Sequence, residues 1–372
     1  MKKTLILFSL IIVVALVLVL VVTQTKREPG EIKIGAILPL TGEIALQGED
    51  AKRGLELALS SRNMFGGIMG RKIKIIFEDD GMTPASGVAA FKKLVDLDKV
   101  KVVLGGMTSS VALAIAPIAN EQKVILFSPT ASHPKLTTQN GYVFRNWPSD
   151  IYEASEISKF AFDVLKLKKY AVIFVNNDNG FALSEIFDKR IKELGGNVIL
   201  SQSYESGASD FRTILSKAKK LNPDSIYLPG NYEDIAKILV QSKELGLNTQ
   251  FLATSAIENP RLLEIARNAA EGLIYTKTYV DFHSHDYVKF VDNFKKMFRE
   301  EPGIAAAQSY DAINIIVDAI EKAGYDGEKI KNELYKIKDF PGVTGKTSFE
   351  KNGDVIKDMA IYTIRNMEFT KY

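Results

Sequence analysis

The chain has 372 residues, 46% hydrophobic and 25% charged, an ordinary globular composition long enough for two or three domains. Its 48 basic and 45 acidic residues differ only because Lys2, Lys3, Lys26 and Arg27 face Glu28. Residues 29–372 carry 44 of each, and so neutral a body excludes a protein whose main task is gripping nucleic acid. The absence of cysteine excludes disulfides, thiolate nucleophiles, Cys-ligated zinc, iron–sulfur clusters and Cys-linked lipid anchors.

Residues 5–22 form an apolar run of 18 whose only polar member is Ser9. As a helix it spans about 27 Å, close to a bilayer core. Lys2 and Lys3 precede it. A cleavable signal has a shorter apolar stretch and a small-x-small site, and residues 21–25 offer no Ala-x-Ala. An uncleaved membrane anchor is therefore favoured over a signal peptide. Residues 23–30 read as a polar linker.

The body then repeats one pattern. Strand 32–38 leads through Pro39, Thr41 and Gly42 to a helix at 48–64. Strand 72–78 precedes a helix opening at Pro84, a favoured first helical position. Strand 100–105 precedes a helix from Ser109, and strand 123–127 follows. This alternation predicts βαβ units and a parallel sheet with helices on both faces. The rhythm breaks at residues 141–150. A second series then runs through helices 151–166, 181–195, 209–221 and 232–246 with strands 170–175, 197–201, 225–229 and 250–253. The tail differs: strand 272–276, helices 287–301, 304–323 and 327–337, then strands 345–349 and 358–366 around an Asn352-Gly353 turn. If the tail helices return to the first lobe, the chain crosses near 146, 276 and 348, which restricts the lobes to hinge motion. The expected division is an anchor or signal segment and linker at 1–30, a first lobe at 31–146 and 277–347, and a second at 147–276 and 348–372.

Ligands of open parallel sheets bind beyond the carboxyl ends of the strands, at helix N-termini. Two first-lobe loops fit: Gly105-Gly106-Met107-Thr108-Ser109-Ser110 and Ser128-Pro129-Thr130-Ala131-Ser132. Their hydroxyls and N–H groups suit a carboxylate, although simple helix capping explains the same residues. Enzyme readings fail in turn. Gly345-Lys346-Thr347 lacks both the upstream glycine, since position 340 is Phe340, and the preceding strand of a phosphate loop. No G-x-G-x-x-G follows a strand and no G-x-S-x-G occurs. His283-Ser284-His285-Asp286 reads as a surface loop rather than a metal site, and His133 lacks an acid to orient it. Glu78-Asp79-Asp80 reads as a turn cap. Trp147, the sole tryptophan, falls in the break between the lobes, where a ligand can stack on it. The expectation is a two-lobed binder with no catalytic residues, no metal and no cofactor.

The segment Ile34-Gly35-Ala36-Ile37-Leu38-Pro39-Leu40-Thr41-Gly42 resembles the opening of the branched-chain amino acid-binding proteins of ABC importers, a type I periplasmic-binding family that also holds amide and urea binders and receptor ligand domains. The likeness continues through both hydroxyl loops, Val143-Phe144-Arg145 with Pro148-Ser149-Asp150, Glu244-Leu245-Gly246-Leu247, Tyr310-Asp311-Ala312 and Gly342-Val343-Thr344-Gly345. It covers nearly all of residues 31–366 in order and spacing. The resemblance implies an α/β Venus-flytrap fold, which agrees with the doubly wound parallel sheet expected in each lobe behind the expected N-terminal transmembrane helix. It implies a monomeric, extracytoplasmic solute-binding protein. Such a protein closes on a branched-chain or related amino acid and docks on an ABC permease with its ATPase subunits. On the family's pattern Ser109, Thr130, Ala131 and Ser132 hold the ligand carboxylate, and Gln47 stands where an aromatic is common. In the second lobe Asn179 and Asn231 replace aromatic contacts. Ser255 replaces the acid that pairs with the ligand ammonium, with Glu258 three residues on as an alternative acid. These departures leave an amide, urea or organic acid ligand, or a sensing role, as the alternative.

Overall fold

A computed structural model of the chain describes residues 30–137 and 139–372. The expected membrane segment at residues 5–22 lies outside them. Among the described residues no helix is long and apolar enough to cross a membrane. The first stretch holds β1 (Ile32–Leu38), α1 (Ala45–Met64), β2 (Ile73–Asp79), α2 (Pro84–Asp96), β3 (Val102–Gly105), α3 (Ser109–Gln122), β4 (Ile125–Ser128) and β5 (Val143–Arg145). The second holds α4 (Asp150–Lys159), β6 (Lys169–Val175), α5 (Asp178–Leu194), β7 (Asn197–Tyr204), α6 (Arg212–Leu221), β8 (Ser225–Leu228), α7 (Tyr232–Glu244), β9 (Gln250–Ala253), α8 (Pro260–Ala266) and β10 (Ile274–Thr278). The tail holds α9 (His285–Phe298), α10 (Ile304–Ala323), α11 (Gly327–Leu334), β11 (Ser348–Phe349), β12 (Val355–Ile356), β13 (Met359–Arg365) and β14 (Glu368–Lys371).

Two sheets result. The first runs β2-β1-β3-β4-β5, parallel throughout. The second runs β14-β13-β10-β9-β8-β6-β7. Its strands β7-β6-β8-β9-β10 repeat the order of the first sheet. Strands such as β1, Ile-Lys-Ile-Gly-Ala-Ile-Leu, are buried at every position but one, as a parallel sheet with helices on both faces requires. Helix starts obey local chemistry: the Thr83 side chain caps α2 ahead of Pro84, Ser149 caps α4 and Asn177 caps α5.

Three expectations need correction. The second sheet is mixed, because β13 pairs antiparallel with β10, and β14 antiparallel with β13. The apparent break at residues 141–150 contains a strand, β5, at the edge of the first sheet. The last crossing falls at Lys357 and Asp358 rather than near 348. Phe349 and Val355 are buried in the first lobe's core, where the Phe349 ring meets Phe127 and Phe144 edge-on at 5.9 and 5.4 Å. The first lobe's core therefore uses tail residues, with α10 packed along α1.

The crossings are tied by buried polar groups. Arg145, fully buried, donates through Nε to Asp354 at 2.6 Å and through Nη1 to the His133 carbonyl at 2.9 Å. Asn146 donates to Gln308 Oε1 at 2.6 Å. Lys357 donates to the Thr344 hydroxyl at 2.5 Å, and Asp311 accepts from that hydroxyl and from the N–H groups of Val343 and Thr344. Burial pushes the Lys357 ammonium down to about 8, against the pull of Asp311.

Candidate ligand-binding site

The loops after β1, β3 and β4 lie at the carboxyl edge of the first sheet, where the strand order reverses between β1 and β3. Gly105 opens one of them. Its φ is +132°, and a Cβ there would stand 1.9 Å from the Ile37 carbonyl oxygen, so only glycine lets the loop approach β1 this closely.

Between the lobes lies a cavity of about 550 Å³. The first lobe contributes Leu46, Gln47 and Asp50 of α1, Thr130 and Ser132 of the loop after β4, and Gly303, Ile304 and Ala305 at the start of α10. The second contributes Asp150 and Glu153 of α4, Asn179 and Leu183 of α5, Tyr232 of α7, and Thr254, Ser255, Ala256, Glu258 and Asn259 after β9. Trp147 lines it from the crossing segment. Five of the expected site residues thus share one cavity: Gln47, Thr130, Ser132, Asn179 and Ser255.

Three do not line it. Ser109 is half-buried behind the loop, its Oγ accepting the His133 N–H at 3.3 Å. Ala131 is buried, and its N–H donates to Ser128 Oγ at 3.1 Å. Asn231 caps α7: its Oδ1 accepts the Asp234 N–H at 2.9 Å and its Nδ2 donates to Asp234 at 2.8 Å. The neighbouring Tyr232 reaches the cavity instead. His133 is buried, and its Nδ1 accepts the Lys135 N–H at 3.2 Å.

The two walls differ in chemistry. On the first, the Thr130 hydroxyl donates to the Met107 carbonyl at 2.8 Å. Among the described residues the N–H groups of Thr130 and Ser132 have no protein acceptor, so they are free to meet an anion. The second wall is acidic. Asp150 accepts from Asn179 Nδ2 at 2.7 Å and from the Ser132 hydroxyl, linking the walls. Burial pushes its carboxyl up to about 6 against these donors and Arg145. Glu153 is almost completely buried, and its Oε1 accepts the Ser255 N–H at 2.6 Å. Burial, reinforced by Asp150, raises it to about 8. On the second wall Glu258 also holds Lys277 at 2.5 Å, while on the first wall Asp50 accepts the N–H groups of Gly303 and Ala306 at 3.1 and 2.9 Å. Among the described residues, four carboxyl groups and no Lys, Arg or His therefore line the cavity. Between them stand Leu46, Trp147, Leu183, Tyr232 and Ile304, with Leu46 88% exposed.

Sequence reasoning missed Asp150, Glu153 and Asp50. Asp150 and Glu153 look like the acids that favour any helix N-terminus, and Asp50 lies inside a long helix. Among the described residues no group of three or more His, Asp or Glu could hold a metal ion.

Comparison with known proteins adds the following. The sequence profile of one family, described as periplasmic binding protein, matches residues 31–368. The leucine-, isoleucine-, valine-, threonine- and alanine-binding protein of Pseudomonas aeruginosa is 28% identical over 92% of this chain and 89% of its own length. A leucine-binding protein from Thermotoga maritima superposes with a TM-score of 0.82 at 33% identity, covering 92% of this chain and 97% of that one. A branched-chain amino acid transporter substrate-binding protein of Streptococcus pneumoniae, solved with isoleucine, superposes at 0.79 with 28% identity, covering 91% and 97%.

Proposed function

We propose that this chain, which belongs to the periplasmic binding protein family, captures a small apolar α-amino acid between its lobes and delivers it to an ABC importer. The observation that carries this reading is the polarity of the cavity. Free N–H groups at Thr130 and Ser132 stand on one wall, uncompensated carboxylate on the other, and apolar side chains between them. A zwitterion with an aliphatic side chain meets each surface with its complement. A simple organic acid would bring a negative charge and no ammonium to a cavity whose described lining has no cationic residue, which is costly. The ligands named for the relatives from P. aeruginosa, T. maritima and S. pneumoniae agree with this choice.

The reading is of binding and transport rather than catalysis, as for the family. It places the protein outside the cytoplasm, tethered by residues 5–22 when that segment is retained. The solute first meets the first-lobe loops, the crossings bend, and the second wall completes the enclosure; the closed form then docks on a permease and its ATPase subunits. Closure covers Leu46 and Ile304, both exposed in this state. The test is a thermal melt of the purified protein against amino acids, their deaminated acids, amides and urea. A ligand at 100 times its Kd is expected to stabilise by about 2.7 kcal/mol. Leucine, isoleucine, valine or alanine should shift the melt. A shift with amides, urea or organic acids alone would overturn the reading.

A further inference from the structure

Four acids line the cavity, and three of them, Asp50, Asp150 and Glu258, lie within range of a positive charge. We infer that Glu153, reaching the cavity from the first turn of α4 and touching the Ser255 backbone, is the carboxylate that binds the ligand's ammonium group. This rests on the amino acid reading above and deepens it.

The geometry singles out Glu153 among the four cavity acids. Glu258 is paired with Lys277. Asp50 receives two N–H groups from the start of α10 and lies within range of Arg53. Asp150 accepts from both walls and lies within range of Arg145. Glu153 alone has neutral neighbours only, Ser255 and Thr276, together with the like charge of Asp150. Its carboxylate also sits 2.6 Å from the Ser255 nitrogen. It thus joins α4 to the segment after β9 at the cavity wall, across 102 positions of sequence. Behind it, the hydroxyl of Tyr227 on β8 is fully buried without a partner.

An acid so placed is mostly protonated when the cavity is empty, since burial holds it near 8. The groups that face it are Asp150 on its own helix, Ser255 after β9, Thr276 on β10 and Tyr227 on β8. None carries a positive charge. An arriving ammonium supplies one, favours the carboxylate, and sends the proton to solvent.

Calorimetry on the whole protein tests this with L-leucine, L-valine and L-alanine. Each is paired with the acid lacking its amine: 4-methylpentanoate, 3-methylbutanoate or propanoate. Glu153→Gln should weaken the amino acids by about 100-fold and leave the deaminated acids within about threefold. In buffers of different ionisation enthalpy at pH 7, the wild type should release close to one proton per amino acid bound. Amino acid affinity within about threefold in Glu153→Gln, or binding without proton release, would overturn the assignment and leave the amino acid reading standing. A wild type that binds none of the amino acids would end both. Should Glu153→Gln fail to fold, the proton count on the wild type decides alone.

Discussion

The two walls of the cleft reach the same cavity by different means. The first is built from backbone: a glycine that no other residue can replace at Gly105, and a short loop whose Thr130 and Ser132 N–H groups meet no protein acceptor among the described residues. The second is built from side chains, Asp150, Glu153, Asn179 and Ser255, brought in by three separate elements. A backbone wall is fixed by fold and tolerates exchange of its side chains. A side-chain wall is free to change ligand chemistry by single substitutions.

If that contrast holds, the largest effect belongs to the first wall's frame. Gly105→Ala should cost about 3 kcal/mol or more in urea unfolding, because it adds a Cβ against the Ile37 carbonyl at a positive φ. An intact melt would mean that the loop can yield, and the contrast would weaken. Next comes pH. Glu153 moves from 4.5 unfolded to about 8 folded, so the empty folded protein holds the extra proton between those values. Its stability should therefore fall as pH rises through that window, with Asp150 adding to the fall between 3.8 and about 6. Lys357, lowered from 10.5 to about 8, acts in the opposite sense above pH 8. Melts of Glu153→Gln across the same range should show a flatter slope. Asn179→Ala, which removes a donor from Asp150, should weaken amino acid binding about tenfold in calorimetry. Thr130→Ala should do the reverse, costing about 1 kcal/mol of stability through its lost bond to Met107 while affinity stays within about threefold. Equal affinity losses in these two variants would erase the distinction between walls. The smallest signal is optical: Trp147, the sole tryptophan, lines the cavity, and its emission should change on saturation with ligand.

The sequence made the first wall readable and the second only partly so, for physical reasons. Thr130 and Ser132 follow directly on a strand, so the rule that ligands lie beyond strand ends locates them from local order alone. The alternation of strands and helices likewise gave both lobes. Glu153 has no such local mark. One turn into a helix it is indistinguishable from an acid placed there for the helix dipole, and its role depends on a neighbour at Ser255 that only the fold brings near. Asn231 shows the converse. Asn231-x-x-Asp234 at the start of an apolar helix is a capping pattern, and the side chain that the resemblance assigns to the ligand serves its own helix. The β13–β14 hairpin escaped notice because Asn366 and Met367 both turn at positive φ without a glycine to announce it.

The return of the tail to the first lobe also governs the order in which the molecule can be finished. Strands β1 to β5 are synthesised first. The face they turn to α2 and α3 is closed by residues up to 143, whereas the opposite face waits for α10, α11 and the pair Phe349 and Val355. The second lobe, whose strands β6 to β10 are contiguous, lacks only its antiparallel edge by then. Both lobes thus wait for residues beyond 300: one face of the first sheet for α10, α11 and the Phe349 and Val355 pair, and the second lobe for its β13–β14 edge.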